Sequence, residues 1–286
     1  MSHAATLAPT APRKPKALAR PSILIGAGIV LLVALIALAA PWLGTVDPQQ
    51  INPIRRMKPP SADMWFGTDM LGRDVWSRAL YGARVSLVCG IAVAALATSI
   101  GLLIGVLAGF SRLADRVLMR VMDGLMAIPA ILIAVAFMAL TEASLKNVVI
   151  AITIAEVPRV ARLMRGMTLG LKEMTYVEAA RSVGTPVHMI VRRHIVPNCL
   201  TPLIVQGTFI AASAIITEAV LSFIGAGTPA HIPSWGNMMA EARSLIQVAP
   251  WILLAPGLLL SLTVLGFNIL GDGLRDALDP RMRTIQ

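Results

Sequence analysis

The sequence predicts an all-α, polytopic membrane protein with six transmembrane helices. Three observations predict it. Hydrophobic residues make up 56% of the 286 positions and charged residues only 14%, where a soluble domain averages about 25% charged. Mean hydropathy is correspondingly high, at +0.75. Six apolar runs, some of them interrupted, approach or exceed the roughly 18 residues that crossing the hydrocarbon core requires. Lysine and arginine crowd the connections that alternate runs place on one side.

Residues 1–21 are polar and basic, with Pro9, Pro12, Pro15 and Pro21 among Arg13, Lys14, Lys16 and Arg20. Such a composition predicts a disordered cytoplasmic tail. The first run, 22–42, is too long for a signal-peptide core. Although Ala37-Leu38-Ala39 imitates a cleavage site, the run reads as an uncleaved signal-anchor. An extracytoplasmic loop follows at 43–85. It contains the amphipathic, charged block Phe66–Arg84, which reads either as a surface-lying segment that touches an extracytoplasmic protein or as a plain connector.

The next runs are 86–110, 121–140 and 147–160, the last being the shortest. Gly101, Gly105 and Gly109 recur every fourth position in the first of these, which allows a close helix approach inside the subunit or against a partner. Runs at 200–223 and 251–270 complete the set, and Pro129, Pro202 and Pro256 are expected to bend their helices. The division is therefore a tail at 1–21, a first span at 22–42, a loop at 43–85, a five-helix core at 86–275 with a cytoplasmic loop at 159–198, and a C-terminal tail at 276–286.

Orientation follows from the basic residues. With the N-terminus inside, the inner segments hold the tail cations, Arg112, Arg116, Arg120, the arginines of the 159–198 loop, Arg275, Arg281 and Arg283. Both termini are then cytoplasmic. The first outer loop conflicts with this rule through Arg55, Arg56, Lys58, Arg73, Arg78 and Arg84.

The formal charge of +10 invites a nucleic-acid reading, but the cations flank apolar runs and point to membrane lipid instead. Cys89 and Cys199 fall in or beside spans, without a disulfide framework or metal spacing, and read as buried thiols. His188, His194 and His231 lack ligand spacing, so no metal site is expected. No H-E-x-x-H, G-x-S-x-G or paired intramembrane aspartate motif points to catalysis, and no G-x-x-x-x-G-K-[ST] loop cradles a nucleotide. No catalytic residue and no cofactor is expected in this chain.

Ionisable residues at membrane depth are functional candidates. Glu218, late in the fifth run, either lines a translocation path or pairs with a neighbouring span. Glu156 and Asp123 are expected to pair with Arg159 and Arg120.

The loop from Pro158 to Asn198 has its own pattern. Residues 174–182 read as a helix that Gly184 stops. Thr185 is the expected N-cap and Pro186 the first residue of a second helix, which ends before Pro197. Helix–glycine–helix makes a compact knob.

Glu178-Ala179-Ala180, three residues, Gly184 and then Ile195-Val196-Pro197 resemble the EAA loop of ABC importer permeases. His194 and Val196 depart from that pattern in the way of the dipeptide, oligopeptide and nickel branch. Phe66–Asp74, Ser77-Arg78, Tyr81–Arg84, Glu218–Gly225, Ser234-Trp235-Gly236 and Gly271–Pro280 resemble blocks of the C-type subunit of that branch.

The resemblance implies a type I importer permease fold and ATP-driven uptake of di- or oligopeptides. It also implies a homologous second permease, two ATP-binding subunits that hold ATP and magnesium, and an extracytoplasmic solute-binding protein. It assigns ATPase coupling to Glu178, Ala179, Ala180, Arg181, Gly184, Thr185, Pro186 and Pro197. The alternatives are nickel, glutathione or another small solute, and a gradient-driven secondary transporter.

Overall fold

The computed structural model describes residues 21–278, so most of both expected tails lies outside the described residues. The described residues are helical apart from turns and one isolated bridge between Thr68 and Asp74. The helices are α1 (Pro21–Ala39), α2 (Val75–Phe110), α3 (Arg112–Met126), α4 (Ala130–Ala139), α5 (Leu145–Lys172), α6 (Thr175–Ser182), α7 (Val187–Ile190), α8 (Val196–Phe223), α9 (Trp235–Ala242) and α10 (Trp251–Leu278).

The six expected runs resolve unequally. Among the described residues, four helices are long and apolar enough to cross a membrane: α1 with the turn after it, α2, α8 with α7 before it, and α10. The run at 121–140 is not one helix. It breaks at Pro129 into α3 and α4, bent by 88°. The run at 147–160 belongs to α5, which is 28 residues long but carries Glu156, Arg159, Arg162 and Arg165 along one half. Helix α2 begins well before residue 86, because Asp74 caps it by accepting from the Ser77 amide at 2.9 Å.

The core joins α2, α5 and α8. Gly101, Gly105 and Gly109 face α5 at Val160, Met164 and Thr168, each step matched by four residues on both helices. A Cβ on Gly105 would lie 2.5 Å from the Met164 Cβ and 2.7 Å from the Ala161 carbonyl oxygen. The glycine stripe thus serves packing inside the subunit, where backbones touch only if one side lacks side chains. Helix α1 lies mainly on α10, with Gly26 against Gly266 and Leu270, and Gly273 against Ser22 and Ile23. Cys89 and Cys199 are buried and unbonded.

These contacts define two ends of the bundle. At one end stand the last turns of α2, α5 and α10, together with α3, α6 and α7. At the other stand the start of α2, the end of α8, α9 and the 43–74 loop. These are the knob end and the far end.

Candidate functional site

The 174–195 segment folds as a helical knob. Glycine 184 has φ of +78°, and its amide donates to the Arg181 carbonyl at 2.9 Å while the Thr185 amide donates to the Ala180 carbonyl at 3.0 Å. That pair of bonds is a Schellman closure of α6, and it requires a residue at ease in the left-handed region. Val177, Ile190 and Ile195 are fully buried and anchor the knob. Glu178, Ala179, Arg181, Gly184 and Pro186 are exposed, and Ala180 and Thr185 are half-buried. Val183, Val187 and Met189 are also exposed, Val183 at 81%. The knob therefore presents an apolar, partly charged surface held by a packed base.

Two details differ from expectation. Pro186, not Thr185, occupies the N-cap of α7, and no side chain caps it. Thr185 is instead engaged through its amide in closing α6. The second helix does not end before Pro197. It passes through a π turn, Val191–Ile195, straight into α8. Proline has no N–H and its ring crowds the carbonyl four residues back. One widened turn resolves both, with the Val196 amide reaching the Val191 carbonyl. Pro197 lies exposed in the first turn of α8.

Glu218 stands apart from the knob, at the far end. It is 0% exposed and reaches α2 and the connection after α8. Ser222 Oγ donates to its Oε1 at 2.8 Å and Ser86 Oγ to its Oε2 at 3.3 Å. Ser222 continues to Thr228, Thr228 to Ser234, and Asn237 donates to Thr228 at 3.1 Å. In this conformation the carboxylate is enclosed by its own chain and tethered between spans. Glu156, 3.6 Å from Arg159, also accepts from Ser213 Oγ at 3.2 Å. Asp123 pairs with Arg162 at 2.6 Å rather than with Arg120, because the crossing of α3 over α5 brings the two acids of α3 to the arginines of α5.

Sequence reasoning missed a cluster at the far end. Arg78, 1% exposed, sets its guanidinium against both Asp69 and Glu241. Arg73 joins the same two acids, each at 2.6 Å. Helix α9 is thereby clasped to the start of α2, and Trp235 Nε1 adds a bond to the Ala79 carbonyl at 3.0 Å. Arg84 donates to the Ala37 carbonyl at 2.6 Å, at the end of α1, where cations are favoured by the helix dipole. Block Phe66–Arg84 is thus a folded joint and the start of a span, not an amphipathic segment lying flat. Arg73, Arg78 and Arg84, which break the charge rule, are engaged by acids or helix carbonyls. The signal available was Asp69, four residues before Arg73 and nine before Arg78.

Residues 101–284 match the family described as binding-protein-dependent transport system inner membrane component. A probable peptide ABC transporter permease of Sinorhizobium fredii is 51% identical over 92% of this chain and 90% of its own. A dipeptide transport system permease of Alkalihalophilus pseudofirmus is 43% identical over 91% and 86%. A glutathione transport system permease of Pectobacterium atrosepticum is 43% identical over 93% and 89%. Among solved structures, an inward-facing form of the MetNI methionine ABC transporter has a chain that superimposes with a TM-score of 0.59 at 20% identity, covering 71% of this chain and 97% of that one. That likeness shows a shared fold. With a family match over residues 101–284 and a relative 51% identical over 92% of the chain, the chain belongs to the binding-protein-dependent transport system inner membrane components, as a multi-pass transport subunit and not an enzyme.

Proposed function

We propose that this subunit forms half of a peptide pathway and is driven by ATPase partners through the 174–195 knob. The carrying observation is the knob's construction. Its base is buried at Val177, Ile190 and Ile195, while Glu178, Ala179, Arg181 and Val183 stand free at its rim. A compact projection with an apolar rim fits a cleft on another protein. Because α7 runs through the π turn into α8, a displacement of the knob moves a span directly instead of being lost in a loop. Closure of two ATPases around ATP and magnesium would pull the knobs together and rock the spans outward.

In this reading Glu178 and Arg181 supply polar contacts, Ala179 and Ala180 allow close approach, and Gly184, Thr185, Pro186 and Pro197 hold the knob's shape. The knob end is cytoplasmic, as are both termini. The far end meets a solute-binding protein, and a homologous permease completes the path. Glu218 serves the path by holding the end of α8 to α2. Peptides are the favoured solute class because the relatives above are peptide and dipeptide permeases. The glutathione relative keeps a modified tripeptide within the same class.

The test is affinity purification of the tagged chain from solubilised membranes, with mass spectrometry and an ATPase assay. Recovery of a second permease and nucleotide-binding chains, both ATPases being lost on Gly184→Pro or Glu178→Lys, is the expected result. A chain recovered without any ATPase, with uptake dependent on an ion gradient, would favour a secondary transporter.

A further inference from the structure

Helix α3 divides cleanly into three stripes. At about 100° per residue, Met119, Met122 and Leu125 turn inward, and Met122 is buried in the core shared with α2 and α5. Leu113, Val117 and Val121 form a second stripe, all more than half exposed. Arg112, Arg116 and Arg120 form a third, beside it and also exposed. A soluble surface helix has no reason to leave an apolar stripe uncovered next to a basic one. A helix lying at a bilayer surface has both, the apolar side entering the acyl boundary and the basic side meeting headgroups.

The placement agrees. Helix α3 begins at the residue after Ser111, the cap that ends α2 at the knob end. It turns by 88° before α4. Asp115 pairs with Arg165, and Asp123, eight residues on, pairs with Arg162, only three residues away on α5. Such unequal steps need a steep crossing, so α3 runs across the spanning direction of α5. Between them lies a groove of 490 Å³ whose lining includes Arg116, Arg120, Arg162 and Arg165 against Asp115 and Asp123. Both acids are taken by the α5 arginines, and among the described residues Arg116 and Arg120 have no acid at ion-pair distance.

We propose that α3 is an interfacial helix that binds the phosphodiester headgroup of an anionic phospholipid at Arg116 and Arg120, with Leu113, Val117 and Val121 in the acyl boundary. The surplus positive charge of the groove complements the phosphate. The adjoining apolar stripe selects a lipid over a free anion.

The test is native mass spectrometry of the full-length chain in detergent, offered phosphatidylglycerol or phosphatidylcholine. The wild-type chain is expected to retain phosphatidylglycerol preferentially. Arg116→Gln and Arg120→Gln should each weaken that retention by about fivefold, since each cation near an anionic surface contributes ~1 kcal/mol. Val117→Asn, which keeps the charge, should also weaken it. Unaltered elution on gel filtration separates these effects from misfolding. Equal retention of the two lipids, or equal retention by wild type and the arginine variants, would overturn the proposal. Displacement of phosphatidylglycerol by inorganic phosphate would reduce the groove to an anion site without lipid selectivity. Loss of a co-purifying protein from the arginine variants, with lipid retention unchanged, would assign the stripe to a protein contact instead.

Discussion

Single residues here owe their consequences to what surrounds them. Arg78 is enclosed with Asp69 and Glu241, so replacing it empties a buried site and leaves both acids to Arg73. Removing one partner of a buried pair costs about 3–5 kcal/mol. Arg78→Ala should therefore lower the thermal stability of the purified chain sharply, with α9 loosened first. A melting temperature equal to wild type would show that Arg73 alone satisfies both acids. Gly105 and Gly124 make a matched pair. A side chain at Gly105 meets Met164 and the α5 backbone, whereas nothing lies within 4 Å of a Cβ at Gly124. Gly105→Val should overpack the α2–α5 contact at a cost of about 1–3 kcal/mol or more. Gly124→Ala should stabilise α3 by about 0.5–1 kcal/mol. Thermal unfolding of the two variants decides the matter, and similar shifts would mean that α2 and α5 do not depend on the stripe. The stripe was legible in the sequence as spacing. Its partner was not, because spacing says how near a helix can come and not which helix comes.

At the scale of elements, the knob is set by backbone geometry. An open Gly184 with φ of +78° and no neighbour within 4 Å of a Cβ makes Gly184→Ala a purely conformational change, expected to cost about 1–2 kcal/mol. Gly184→Pro is different in kind. It cannot reach that φ, and it deletes the amide bonded to Arg181. Circular dichroism and limited proteolysis should accordingly show a weakened knob in the first variant and a released one in the second. Equal protection of the two would separate the knob's order from Gly184. The π turn lends itself to a register test. Inserting one alanine after Cys199 would leave the turn in place and rotate the knob by about 100° relative to the rest of α8. Membrane insertion should persist while ATPase association, in the reading above, fails. Normal association would show that the turn absorbs register errors. The helix–glycine–helix order was readable from Gly184, Pro186 and the α6 formers. Continuity into α8 was not, because Pro197 locally signals a stop and only the packing of Ile190 and Ile195 keeps the helix going.

For the whole molecule, the far end and the knob end are held by different means. Ion pairs and a serine–threonine–asparagine chain around Glu218 tie the far end. Apolar packing holds the knob end, with ion pairs there, among the described residues, confined to the α3 crossing, Asp115 to Arg165 and Asp123 to Arg162. Helix α1 is a peripheral member, joined chiefly to α10 through glycine contacts, and it precedes the segment that matches the family. Gly26→Leu should therefore displace α1 while leaving the α2–α5–α8 core intact. A cysteine at Val33, buried where α1 meets the bundle, should become reactive to a thiol reagent in that variant, and loss of core stability as well would show that α1 is integral.

Composition, the length of the apolar runs and the placement of cations by themselves determined an all-helical membrane protein. The reason is that hydrocarbon enforces chain length and backbone satisfaction locally, segment by segment. The knob's order was determined in the same way, since a positive-φ glycine between helix formers is a local signal. The bend at Pro129 was legible too, as a proline within an apolar run, whereas only the tertiary structure decided that Asp123 meets Arg162. It alone decided that Arg73 and Arg78 are neutralised by Asp69 and Glu241, and that Glu218 is enclosed. Each of these depends on groups far apart in the chain. Glu241 lies 163 residues from Arg78, and no local pattern of charge or hydropathy carries the distance at which two such residues will meet.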